Sequence, residues 1–207
     1  QHSEYFVLSL ENASGISIAG TTTATIYIVD NDSQAPSPSN QIELNYIGSF
    51  DPSGASSSTC EIVVHDTASQ RLFTTSAVAG FLDIIDFSNP TTPSVITSVN
   101  INPYGGVTSV AVKNGIVAVA SPNADETLNG SVLFFDTNGT FLKQVTVGAL
   151  PDMITFSPDG TKVMTANEGQ PNVDYSVDPE GSVSIIDISG GIATLSQSNV
   201  TTLLFTA

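Results

Sequence analysis

The chain has 207 residues, 40% of them hydrophobic, and carries 20 acidic side chains against four basic ones, a formal charge of -16. That length accommodates one large all-β domain or one to two ordinary ones, with enough apolar residues for a real core. The charge argues against nucleic acid, whose binding needs Lys and Arg at the phosphates, and against anionic membrane surfaces, which leaves inorganic cations or plain solubility.

No apolar run reaches membrane-spanning length, and any secretion signal is expected upstream of Gln1. The single cysteine, Cys60, cannot form an internal disulfide. Placed just before the apolar run EIVVH, it reads as a small buried hydrophobe. Asn-x-Ser/Thr sequons stand at Asn12, Asn31, Asn129, Asn138 and Asn199, and they matter only in a host that glycosylates.

In chain order, residues 4–12 (EYFVLSLEN) and 21–29 (TTTATIYIV) alternate apolar and polar at a two-residue period, with turn residues between them, and predict a β-hairpin. A two-stranded hairpin is not stable alone, so residues 1–32 are expected to end a larger sandwich. Asp30-Asn31-Asp32 closes the second strand. The stretch SQAPSPSN that follows has two prolines and no large apolar side chain, so residues 33–44 read as a linker.

From residue 45 the chain repeats itself. FLDIIDFSN (81–89), SVLFFDTNG (131–139) and SVSIIDISG (182–190) close on Asp86, Asp136 and Asp187, 50 and 51 residues apart. Before each lies a strand pair: EIVVHDTASQRLFTTS, SVAVKNGIVAVAS and DMITFSPDGTKVMTAN, with turn chemistry in the middle. PSVITSVNI and FLKQVTVGA supply fourth strands, VTTLLFTA reads as a further strand, and no segment has a convincing helical period. Four short antiparallel strands per unit of about 50 residues predict β-propeller blades, three to three-and-a-half of them over 45–207. A polar residue ending an apolar strand most simply caps the next turn, which is the reading we give the three aspartates.

Two stretches resemble known families. TATIYIVDND resembles the last strands of a Calx-β domain, whose closing acidic triplet contributes to calcium sites; Asp30 and Asp32 match it, and Asn31 stands where the family has an acid. FDPSGASSSTCEIVVHD, LDIIDFSNPTTP, GGVTSVAVKNGIVAVA and GALPDMITFSPDGTKVMTANEGQPNVDYSVDPEGSVSIIDIS resemble the choice-of-anchor I family, related to mesenchyme-specific cell-surface glycoproteins. That resemblance implies an extracellular or surface-anchored propeller. Through the animal relatives it implies association with calcium mineral, and some bacterial members carry alkaline-phosphatase or phytase-like labels.

The candidate site is the loop NEGQPNVDYSVDPEG (167–181), which holds Glu168, Asp174, Asp178 and Glu180 and no base. Calcium takes six to eight oxygens without strict geometry, so these four carboxylates, helped by Asn167 and Asn172, are candidate ligands. Asp30 and Asp32 form a second candidate, and Asp125-Glu126 reads as plain exposed loop. The alternatives for the long loop are a solvated acidic surface and a catalytic use. His65 follows an apolar run and reads as packed, and nucleophile, zinc and phosphate-loop motifs are absent.

The favoured expectation is a non-catalytic structural or adhesion module, secreted or displayed on a cell surface, with Ca²⁺ at its acidic loops. Its expected partners are calcium ions, and other copies or further polypeptide at open strand edges. The alternative is a calcium-dependent phosphoester hydrolase on the same fold.

Overall fold

The computed structural model describes residues 4–9, 11, 14–15, 20–28, 44–52 and 60–205. The chain divides into two compact units, Gln1–Tyr46 and Ile47–Ala207.

In the first unit, β1 (Glu4–Ser9) pairs antiparallel with β2 (Thr23–Ile28), Tyr5 opposite Tyr27. Their rings sit 5.9 Å apart, the cross-strand aromatic pair that a period-two pattern sets up. The expected hairpin strands are present. Asp30, Asp32 and all but the last residue of the expected linker lie outside the described residues.

The second unit contains three four-stranded antiparallel meanders. The first is β3 (Cys60–Asp66), β4 (Arg71–Ser76), β5 (Phe81–Asp86) and β6 (Ser94–Asn100). The second is β7 (Ser109–Lys113), β8 (Ile116–Ser121), β9 (Asn129–Asp136) and β10 (Phe141–Ala149). The third is β11 (Pro151–Phe156), β12 (Lys162–Asn167), β13 (Ser182–Asp187) and β14 (Val200–Leu204). Each repeat read from the sequence becomes one sheet, and VTTLLFTA supplies the fourth strand of the third. Among the described residues the helical turns are short 3₁₀ pieces at Asn102–Tyr104, Ile192–Thr194 and Gln197–Asn199. The fold class is all-β, as the absence of a helical period predicted.

Period-two alternation in the middle sheet builds two cores at once. Val117, Val119, Leu133 and Phe135 face the first sheet and pack with Phe73, Leu82, Ile84 and Ile101. Their neighbours Ala118, Ala120, Val132 and Phe134 face the third and pack with Val145, Val147, Ile154, Val163 and Ile186. The first strands lie side by side, β7 touching both β3 and β11. Arg71 ties the first two sheets together, its Nη1 donating to the carbonyl of Thr137 at 2.5 Å and to Asn138 Oδ1 at 2.9 Å.

The repeated aspartates cap their own turns. Asp86 Oδ1 accepts from the Ser88 N–H at 2.9 Å, and Asp136 Oδ1 from the N–H groups of Asn138 and Thr140, both at 2.8 Å. Asp187 Oδ1 accepts from the Ser189 N–H at 2.9 Å and its hydroxyl at 2.6 Å, while Oδ2 meets Lys162 Nζ at 3.1 Å. Asp159 does the same work inside the β11–β12 turn, accepting from Ser157 Oγ and from Thr161. Such side-chain-to-backbone bonds close Asx turns.

Cys60 corrects the sequence reading. It is free and exposed rather than buried, at the first residue of β3, which among the described residues is an edge strand of its sheet. His65 is also exposed, with Phe87 packed edge-on against its ring at 5.7 Å.

Two expectations follow. Phe134 is fully buried in the core between the second and third sheets. Phe134→Ala is expected to lower unfolding stability by about 3–5 kcal/mol, read from urea midpoints at constant slope. Asp159 is held down to about 2, first by the Ser157 hydroxyl and then by Thr161, and Asp187 to about 2 by Ser189 and then Lys162. A folded-state value below the unfolded one, about 4, gives stability that is complete above that value and is lost as pH falls toward 2. Melting temperature is therefore expected to fall between about pH 4 and pH 2, and less steeply in Asp187→Ala than in the wild type.

Candidate functional site

The loop between β12 and β13 is closed at its neck by backbone. The Glu168 N–H donates to the carbonyl of Leu150 at 2.9 Å, and the Gly169 N–H to that of Ala149 at 3.2 Å, so the outgoing strand is held to the second sheet's end. Gly169 has φ +66°, and a Cβ there would stand 2.5 Å from the Pro179 carbonyl oxygen and 2.6 Å from the Gly181 nitrogen. The two ends of the loop thus touch, and only glycine fits between them. A compact loop with adjoining ends is an Ω-loop.

Below the neck lies a buried polar cluster. Asn167, 3% exposed, accepts from Thr165 Oγ1 at 2.9 Å and donates from Nδ2 to Ser182 Oγ at 3.1 Å and Ser184 Oγ at 3.0 Å. Gly148 comes in from β10, its N–H reaching Ser184 Oγ at 3.3 Å, and a Cβ there would stand 2.4 Å from Ser182 Oγ. Asn167, expected as an auxiliary cation ligand, instead belongs to this network beneath the loop.

At the tip, Asn172 organises a turn. Its N–H donates to the Val177 carbonyl at 3.0 Å, its carbonyl accepts from the Tyr175 N–H at 3.0 Å, and its Oδ1 accepts from the Val177 N–H at 3.1 Å. Its Nδ2 donates to Ser176 Oγ at 2.9 Å. Asp174 Oδ1 accepts from the Ser176 hydroxyl at 2.7 Å and N–H at 3.2 Å, which lowers its pKa.

The four candidate acids Glu168, Asp174, Asp178 and Glu180 are all exposed. The fold puts them on one loop without drawing them together: among the described residues no group of three or more His, Cys, Asp or Glu side chains is placed to hold a metal ion. The arrangement does not fit a preformed calcium cage, and Asp174 already has one oxygen committed to its own turn. Asp125 likewise serves its own loop, accepting from the Thr127 N–H and hydroxyl.

Two features had no signal in the sequence. Val173 is 101% and Tyr175 74% exposed at the loop tip, Tyr175 with φ +56°. In the first sheet, Asp83 is 2% exposed and accepts from Ser76 Oγ and Ser98 Oγ, while the neighbouring Thr74 hydroxyl is buried with no hydrogen-bond partner among the described residues. Thr74 lines a cavity of about 330 Å³ beside Leu72, Ile85, Phe87 and Ile47.

Gly169→Ala is expected to open the neck, since both clashes are with backbone that cannot swing aside. Limited proteolysis would show it as faster cleavage within 170–178, with the three sheets still folded by circular dichroism. Unchanged cleavage would mean that the neck does not hold the loop.

Comparison with solved structures finds similar chains at low identity. Hydrazine synthase of Kuenenia stuttgartiensis is 15% identical, with a TM-score of 0.53 over 69% of this chain and 41% of that one. A suggested 6-phosphogluconolactonase of Bacteroides fragilis is 12% identical, with a TM-score of 0.53 over 70% of this chain and 40% of that one. At such identity the likeness is one of fold alone, and the chain spans about two fifths of the length of either structure. No curated protein is similar enough to match. The family model for the choice-of-anchor I domain matches residues 61–207, which takes in the three four-stranded sheets, save the first residue of β3, and the loop. The chain belongs to the choice-of-anchor I domain family.

Proposed function

We propose that this chain is a non-catalytic structural or adhesion module, secreted or held at a cell surface, and that its three four-stranded sheets are consecutive blades of a β-propeller. The family match over 61–207 carries the reading. The use the fold makes of its acids supports it: Asp86, Asp136, Asp159, Asp174 and Asp187 each spend an oxygen on the turn that follows. That is scaffold chemistry, stiffening loops from within. The hairpin of β1 and β2 is, in this proposal, the end of a Calx-β-like sandwich, with residues 33–44 as the linker and Asp30 and Asp32 at the tip.

Calcium has a reduced place in the proposal. Glu168, Asp178 and Glu180 do not converge, so a Ca²⁺ ion at this loop would be held by one or two protein oxygens with water completing its shell. Brief protease treatment of intact source cells is expected to release peptides from 61–207. Their release only after lysis would overturn the surface reading. Calorimetric titration of the purified chain is expected to show Ca²⁺ affinity no tighter than about 1 mM, the weak end for extracellular modules. Submicromolar binding, lost in Asp178→Asn with Glu180→Gln, would restore a built site.

A further inference from the structure

We propose that the tip of the Ω-loop is a preformed docking finger for a partner protein, with Tyr175 and Val173 entering an apolar recess on that partner whose rim carries Lys or Arg. This deepens the reading of the chain as a non-catalytic adhesion module and depends on it.

Three observations carry the proposal. The first is exposure: Val173 at 101%, Tyr175 at 74% and Val177 at 47% stand within five residues of chain. Scattered exposed hydrophobes are ordinary, but here three alternate at the end of one projection. The second is order. The tip is fixed by the Asn172 and Asp174 bonds and by the Gly169 neck, so Tyr175 is presented in one backbone conformation, with positive φ. A backbone held this way loses little further entropy on binding, and Tyr is the kind of anchor that dominates interface energetics.

The third is charge. From residue 163 to the end the chain holds Glu168, Asp174, Asp178, Glu180 and Asp187 and no Lys, Arg or His. Asp174 and Asp178 flank the apolar tip in the chain and Glu168 and Glu180 stand at the neck behind it, so a recess rimmed by basic side chains is complementary, both for steering and for rejecting wrong partners. The same charge disfavours the other occupants. A second copy carries -16 itself, and an anionic membrane repels the loop.

The test uses the chain with Tyr175 replaced by the photo-crosslinker p-benzoylphenylalanine, incubated with the surface fraction of source cells and irradiated. One discrete protein adduct is expected. Its cross-linked peptide should map to an apolar recess flanked by Lys or Arg on the partner. Its yield should fall about tenfold when Val173→Ser is added, the loss of a secondary anchor, and should fall again on raising the salt. Tyr175→Ser in the unlabelled chain is expected to abolish competition for that adduct while leaving the melting temperature unchanged. The proposal is overturned by an adduct indifferent to Val173→Ser, by cross-linking to a second copy of the chain, by flotation of the chain with phosphatidylcholine–phosphatidylserine vesicles that Tyr175→Ser abolishes, or by no adduct. If the chain proves to be an enzyme, with turnover untouched by Tyr175→Ser, the functional reading fails while the adduct still stands or falls by itself.

Discussion

The middle sheet is buried on both faces, and the rest of the second unit follows from that. A β-strand places successive side chains on opposite sides, so a sheet covered on both sides must be apolar at every position, not at every other one. The segments IVAVAS and SVLFFD meet that demand. β8 and β9 divide their residues strictly by parity, the odd members joining one core and the even members the other. Slipping either strand by one residue would exchange the two sets, in β8 setting alanines where Val117 and Val119 now fill the space, so both cores oppose a slip and fix a single register.

With that register fixed, the polar chemistry is pushed to strand ends, where it does two different jobs. At one end each sheet closes a tight turn with an aspartate that accepts backbone N–H groups, and the exposed carboxylate costs little because water still reaches it. At the other end the second strands finish on Ser76, Ser121 and Asn167, all buried. These make hydrogen bonds across strands, or, for Ser121, to the carbonyl of Gly106 at 2.6 Å. Buried hydroxyls and amides are tolerable only when paired. In the third sheet that requirement is met by Asn167, which bridges β12 and β13 immediately below the long loop. The loop leaves a platform whose last residue cannot rotate without breaking its bonds to two serine hydroxyls.

Much of this was legible from the sequence because it depends on local pattern. Asp86, Asp136 and Asp187 sit at the same place in three similar strings, and an Asx turn needs only an aspartate and the next few residues of chain. The strands were legible for the same reason. Cys60 was not, since the apolar run beside it says nothing about which strand of a sheet lies at the edge. The loop was half legible: its length, its acids and its glycines could be read, but not the direction of the acids. A carboxylate satisfied by its own Ser176 and a carboxylate aimed at a shared ion look alike in a sequence. The exposure of Val173 and Tyr175 was equally hidden, because an apolar residue in a loop is ordinarily assumed to fold back onto the core.

The loop's design makes more sense as presentation than as chelation. A cation clamp gains rigidity from the ion, so its protein part can be loosely organised and its acids should converge. Here the order is already supplied by Gly169, Asn172 and Asp174, and the four acids are exposed, two beside the apolar tip and two at the neck. Internal hydrogen bonds fix the backbone, glycine lets the neck close, and the side chains left over for contact are a Tyr, two Val and the neighbouring carboxylates. A backbone held in one conformation, apolar at its apex and flanked by carboxylates suits the docking role we propose for it.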